Sequence, residues 1–193
     1  MSTTKEKNPN EIILTKARLS FPHLGTPKAI GDGKPRYTAS FLLDPKDEAH
    51  KSQIQWMRNK ANQLFAEGTK KADAKPRADR TCLKKGNDEE GVALYDGYDG
   101  MWAVSAARSE KQGAPQCVDR FGVDLKDPDK TLYAGCYVNA KIRLYYSDYD
   151  GTKRITASLE VVQFVKDGEP FGQGKASADD MPDIEDSEED GLA

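Results

Sequence analysis

The sequence predicts a mainly β protein carrying one substantial α-helix, and three stretches make that prediction. Between Tyr133 and Phe164, Val138, Ala140, Ile142 and Leu144 hold one parity, with Asn139, Lys141, Arg143 and Tyr145 on the other. Such period-2 alternation marks a strand with one face in a core. After Asp150-Gly151, a dipeptide suited to the positive φ of tight hairpin turns, Ile155, Ala157, Leu159 and Val161 alternate with Thr156, Ser158 and Glu160. The third stretch runs from about 45 to 67, where Ile54, Met57, Ala61, Leu64 and Phe65 recur at spacings of three and four and form one apolar helical stripe. A long hairpin is therefore the framework. The single helix is expected to cross a sheet or plug the end of a barrel.

Taken in order, residues 1–10 are polar and expected to be disordered. Glu11 to Leu19 is a first strand rich in β-branched residues, with Lys16 and Arg18 on one parity and Ala17 and Leu19 on the other. Pro22 ends it, because proline cannot donate to a sheet ladder. Phe21 beside that proline is either a core plug or a stacking platform, core being the default. Arg36 to Leu43 is a second strand, in which Tyr37, Ala39, Phe41 and Leu43 alternate with Arg36, Thr38, Ser40 and Leu42. Asp44 is placed to cap the helix with Pro45 at its first position, and Gly68 to close it. Trp56 falls off the apolar stripe.

Thr69 to Gly86 carries seven cations against two acids and reads as a basic loop. Val92 to Tyr95 and Met101 to Arg108 are expected as two short strands, Trp102, Val104 and Ala106 sharing a face. Glu110 to Asp129 reads as an irregular connection. The Asp-Gly steps at 96–97, 99–100 and 150–151 lack the ligand spacing of a calcium loop, and turn chemistry accounts for them.

A chain of 193 residues supports one domain with a real core and is short for two. No apolar run approaches a membrane span, and the first ten residues lack a signal-peptide core. The three cysteines, Cys82, Cys117 and Cys136, form no Cys-x-x-Cys pair, so neither a disulfide framework nor a zinc ribbon is indicated. These features fit a reducing cytoplasm. The net charge of −3 conceals an asymmetry: no Lys or Arg follows Lys175, and residues 176–193 hold eight of the 32 acids. Without those eight, 29 basic residues face 24 acidic ones, a body of net +5 joined to an acidic tail.

Enzyme signatures are missing. There is no Gly-rich phosphate turn, no Gly-x-Ser-x-Gly elbow and no His-Glu-x-x-His, and His23 and His50 read as structural or exposed. The sequence calls for no cofactor and no metal. Cations and rings on one face, such as Lys141, Arg143 and Tyr145, instead suit single-stranded nucleic acid, where rings stack on bases and cations track phosphates. The plainer reading of that face is an ordinary solvated strand.

Residues 13–24 (ILTKARLSFPHL), 37–43 (YTASFLL), 102–106 (WAVSA) and 133–144 (YAGCYVNAKIRL) resemble bacteriophage single-stranded DNA-binding proteins of the DUF2815 type. The similarity runs from about Ile13 to Gly172. It implies an OB-fold, a Greek-key barrel with long insertions spanning 11–175, and an acidic, flexible tail at 176–193. It also implies a protein of phage DNA replication, recombination or repair, acting in the host cytoplasm with no membrane; tethered near the groove, the acidic tail is expected to compete with phosphates for its cations and to recruit replication or recombination proteins. The tail here ends Asp190-Gly191-Leu192-Ala193 rather than on an aromatic residue, so recruitment through a terminal ring is in doubt. Candidate phosphate contacts are Lys16, Arg18, Arg36, Arg108, Lys111, Arg120, Lys141 and Arg143, and candidate stacking rings are Tyr37, Trp102, Phe121 and Tyr145. Tyr37 and Trp102 share parity with apolar neighbours, so core packing stays open for both. The rival function is a protein-interaction adaptor of a replication machinery or virion, without DNA affinity of its own.

Overall fold

In the computed structural model, which describes residues 8–29 and 31–172, the chain runs β1 (Glu11–Lys28), β2 (Arg36–Leu43), α1 (Glu48–Thr69), β3 (Leu83–Lys85), β4 (Trp102–Ser109), β5 (Gln116–Val118), α2 (Pro128–Thr131), β6 (Tyr137–Tyr149) and β7 (Thr152–Lys166). The expected acidic tail at 176–193 and residues 1–7 lie outside the described residues.

The β6–β7 hairpin is the framework its alternation predicts. Val138, Ala140, Ile142 and Leu144 are buried, and Asp150 and Gly151 both take positive φ, 50° and 72°, as a type I′ turn requires. One expectation fails on the second arm. The pairing of Lys141 with Val161 but Ile142 with Leu159 leaves Glu160 as an extra residue. That bulge flips the parity beyond it, so Val162 and not Val161 is in the core.

A second bulge bends β1. The core residues Leu14 and Ala17 are three apart, and Lys16 between them sits at φ 51°. The backbone groups this releases are met by side chains. Asn139 Oδ1 accepts from the Lys16 N–H at 2.9 Å, Gln53 Oε1 from the Thr15 N–H at 3.4 Å, and His50 Nε2 lies 2.7 Å from the Thr15 carbonyl. Contrary to expectation, β1 does not end at Pro22. It runs on to Lys28, because a further irregularity between Ser20 and His23 carries the proline past the ladder.

The sheet order β3-β4-β2-β1-β6-β7-β5, with an added parallel pairing of β4 to β7 at Ala107 and Ser158, closes five strands into a barrel. Around it the order is β1-β2-β4-β7-β6 and back to β1, the five-stranded Greek-key arrangement of an OB-like fold. β3 and β5 are three-residue additions at either edge. They were expected to be loop, as the strand at Val92 to Tyr95 was expected to be regular; there, only Ala93 makes an isolated bridge, to Asn87.

Helix α1 buries Ile54, Met57, Ala61 and Leu64 as its stripe predicts and packs against β1, β2, β3, β6 and β7, so it plugs one end of the barrel. Its N-cap is Asp47 rather than Asp44. The Asp47 carboxylate accepts from the His50 N–H at 3.0 Å, while the Asp44 N–H donates to His50 Nδ1 at 3.0 Å. Gly68 does not stop the helix, which ends with Lys70 in the left-handed region at φ 56°. Instead the Tyr146 ring lies where a Gly68 side chain would be, wedged beside Phe65 at 5.9 Å between ring centroids.

Gly68→Ala therefore sets two effects against each other. Alanine in a helix gains about 0.5–1 kcal/mol over glycine, but displacing the Tyr146 ring costs about 1–3 kcal/mol. Urea denaturation is expected to show net destabilisation. A gain would mean that Tyr146 can leave its seat freely.

Candidate nucleic-acid interface

Outward-facing residues of adjacent strands line a groove across the barrel. β2 presents Arg36, Thr38 and Ser40, β4 presents Ser105, Ala107 and Ser109, and β7 presents Arg154, Thr156 and Ser158. These are the residues left by strand alternation once Ala39, Phe41, Val104, Ala106, Ile155 and Ala157 turn inward. The floor is small and polar, with Ser40 Oγ and Ser105 Oγ 3.3 Å apart. Among the described residues, Thr156 Oγ1 is a buried side-chain oxygen without a hydrogen-bond partner, and it lies in this groove.

Arg36 is the junction of the groove. It lines three adjoining cavities of about 370, 350 and 520 Å³. Phe21, Arg80, Lys84, Tyr145 and Arg154 border the first, Arg143 and Tyr145 the second, and Lys28, Lys34 and Tyr149 the third. Arg36, Lys84 and Arg154 make no ion pair among the described residues. Phe21 is 49% exposed at φ 46°, a conformation a bulky residue adopts only when its surroundings hold it there. Tyr95 holds it here, edge to face at 4.9 Å. The default assignment of Phe21 to the core is thus corrected.

Of the twelve residues expected from the sequence, Arg36, Arg143 and Tyr145 meet in one cavity. The others are placed elsewhere or are already engaged. Arg18 lies 4.2 Å from the Phe171 ring and donates to the Glu169 carbonyl at 2.6 Å, so it straps the chain's exit across β1. Lys141 pairs with Glu11 at 2.8 Å. Arg120 donates to the Val165 carbonyl at 2.9 Å. Arg108 reaches Glu160 at 3.1 Å and the Gly113 carbonyl at 3.0 Å. Tyr37 and Trp102 stand on the core-facing parity of their strands, Trp102 packing against the main core. Lys16 is exposed on the β1 bulge, Lys111 on the 3₁₀ turn Glu110–Gln112, and Phe121, 82% exposed, at the loop tip after β5; none of the three lines the groove. Sequence reasoning left Arg80, Lys84, Arg154 and Tyr149 out of the expected contacts, and it offered Phe21 as a stacking platform only second to the core. Of these, Arg154 could have been found, since it shares outward parity with Thr156.

Glu160 governs how much positive charge is free. It lies 3.1 Å from Arg108 and 3.7 Å from Arg143 and accepts from Ser158 Oγ at 2.6 Å. Burial pushes its carboxyl up, but the Ser158 hydrogen bond and the two guanidiniums outweigh burial and hold it below the ordinary glutamate value.

A family model described as "Enterobacter phage Enc34, ssDNA-binding protein" matches residues 10–192. The chain belongs to this family. The resemblance seen in the sequence therefore holds, under the Enc34 description. A protein called "Putative protein p50" from Acyrthosiphon pisum secondary endosymbiont phage 1 is 34% identical over 191 residues, 94% of this chain and 98% of that one. The solved single-stranded DNA-binding protein of bacteriophage Enc34 is 25% identical, with a TM-score of 0.71 over 89% of each chain. The Enc34 protein in complex with ssDNA is 27% identical, with a TM-score of 0.72 over 84% of this chain and 90% of that one. A bacteriophage T7 single-stranded DNA-binding protein, gp2.5, shares the fold at 15% identity and a TM-score of 0.59, over 95% of this chain and 98% of that one. The family and these solved proteins are described as DNA-binding proteins and not as enzymes. Among the described residues, no helix is long and apolar enough to cross a membrane.

In this member of the Enc34 family, Glu160 links stability to acid. Because its folded pKa is depressed, its contribution is complete above the ordinary value of 4.5 and is lost as pH falls through the lower folded value. Glu160→Gln is expected to cost on the order of 1–2 kcal/mol at neutral pH, and the deficit should shrink as the pH drops below the ordinary glutamate range. A deficit constant with pH, measured by denaturant titration, would show that the charge on Glu160 is not what the arginines hold.

Proposed function

We propose that this protein binds single-stranded DNA without sequence preference in the Arg36 groove, protecting and organising it during phage DNA replication, recombination or repair. The observation that carries the reading is the junction at Arg36, where Arg36, Lys84 and Arg154, unpaired among the described residues, and exposed rings border a floor of small polar residues. Arg36, Lys84 and Arg154 track phosphates. Phe21, Tyr145 and Tyr149 offer faces to bases, each worth about 1–3 kcal/mol where it stacks. The relative solved in complex with ssDNA supports the reading of single-stranded DNA as the ligand.

The decisive experiment titrates labelled oligo-dT at two salt concentrations against duplex of equal length. Tight, salt-sensitive binding that favours the single strand is expected. Arg36→Ala and Arg154→Ala should each lower the salt slope by about 0.7, and Phe21→Ala should weaken binding by about 1–3 kcal/mol with little change in denaturation midpoint. No binding at low salt would overturn the reading in favour of a protein-interaction adaptor.

The acidic segment then acts as a competitor for the groove cations. Supporting this, the Gly172 N–H donates to the Asp96 carboxylate at 2.9 Å, next to Tyr95, which seats Phe21 at the groove's rim. A chain tethered there reaches the groove at high effective concentration. Deleting 176–193 is expected to raise affinity for both forms of DNA and to raise duplex affinity by the larger factor, because duplex gains no stacking. Unchanged affinities at low salt would rule the competition out. Recruitment of replication or recombination proteins by the same segment is part of this reading, and pull-down with and without 176–193 tests it.

A further inference from the structure

We infer that the DNA strand does not end at the groove but continues around the edge strand β3 into a second nucleotide subsite, built on Trp102 and bordered by Arg58, Lys75 and Lys85. This inference rests on the reading of the groove as a single-strand site. A fourth cavity, of about 430 Å³, lies between α1 and the β3–β4 edge. It is continuous with the groove in composition, since Thr81 and Cys82 line both.

Three observations make it a site for a nucleotide. β3 is a strand, so consecutive side chains point to opposite faces: Lys84 borders the groove and Lys85 the 430 Å³ cavity. One edge thus offers a cation to each side. Arg58, Lys75 and Lys85 are exposed and form no ion pair among the described residues, unlike Arg108 and Lys141. Finally, the half-buried Trp102 ring lines this cavity with the Arg58 guanidinium 5.8 Å from its centroid, which joins a flat aromatic surface to a phosphate-binding fork. The ring that the sequence offered for stacking is not in the groove, but it lies on the path a strand takes when it leaves the groove over Thr81.

Oligonucleotide length separates this subsite from the groove. The probes are oligo-dT of about 6 and about 16 nucleotides, lengths within the range one OB-fold occupies. The triple variant Arg58→Ala/Lys75→Ala/Lys85→Ala, all surface positions, is expected to bind the 6-mer like the unaltered protein. Its affinity for the 16-mer should fall by roughly tenfold or more at low salt, with the salt slope reduced by about 2. In a Trp56→Phe background Trp102 is the sole tryptophan, and its emission should be quenched by the 16-mer and not by the 6-mer. Equal losses for the two lengths, no loss for the 16-mer, or equal quenching by both would overturn the subsite while leaving groove binding intact. If neither length binds the unaltered protein, the groove reading falls and this one with it.

Discussion

The barrel depends on one clasp, from Arg108 on β4 to Glu160 on β7. Backbone pairing between these strands amounts to a single register position, Ala107 with Ser158, against eight between β2 and β4. The side chains supply what the ladder lacks. Arg108 bonds Glu160 and the Gln112 and Gly113 carbonyls, tying β4 and the turn after it to β7, and Glu160 takes Ser158 and Arg143 as well. Both partners are about three-quarters buried, where losing either strands a charge in a poorly solvated place. The bulge that brings Glu160 outward is the same irregularity that sends Val162 inward, so closure of the barrel and the end of the core are set by one residue.

This explains which parts of the fold were legible. β2, the β6–β7 hairpin and the helical stripe follow from periodicity because each keeps its register over its length. The bulges at Lys16 and Glu160 were hidden because a bulge leaves composition unchanged and shifts only the phase. Leu14 and Ala17 look like opposite faces until three-dimensional pairing makes them one. The helix cap was misplaced for a related reason. Asp44-Pro45 and Asp47 are both good starts by local chemistry, and the choice is made by His50, which binds the Asp44 N–H and faces Thr15, 35 residues away in sequence. β3 and β5, three residues each, exist only because β4 and β7 offer them an edge.

The site was less legible than the fold, and the reason is electrostatic. A sequence displays cations but not whether they are spent. Lys141 and Glu11 are 130 residues apart, Arg108 and Glu160 are 52, and Arg18 is held by Glu169 and Phe171 from the far end of the chain. Alternation correctly put Lys141 and Arg143 on an outer face, yet that face is where internal acids also sit. Arg36 alone among the expected arginines has neither an acid nor a carbonyl partner among the described residues, and it marks the groove.

A cation engaged within the protein is a poor ligand for an external phosphate, since taking it must first break a contact formed at no cost in translational freedom. A cation left facing solvent has only its hydration and counterions to exchange, and releasing those drives polyanion binding. Sorting cations by what already holds them therefore separates two jobs within one strongly charged barrel. Arg18, Arg108, Arg120 and Lys141 fasten strands, loops and the chain's exit. Among the described residues Arg36, Lys84 and Arg154 have no acid or carbonyl partner, nor have Lys75 and Lys85 across the edge strand, where Arg58 rests only against the Trp102 ring. Fasteners scatter over the barrel wherever two segments need joining. The other six lie along one course, from the groove floor over Thr81 to Trp102, with exposed rings beside the groove, whereas cations such as Lys16 and Lys111 face solvent away from it. On the proposed reading, that alignment is what a continuous chain of phosphates would meet.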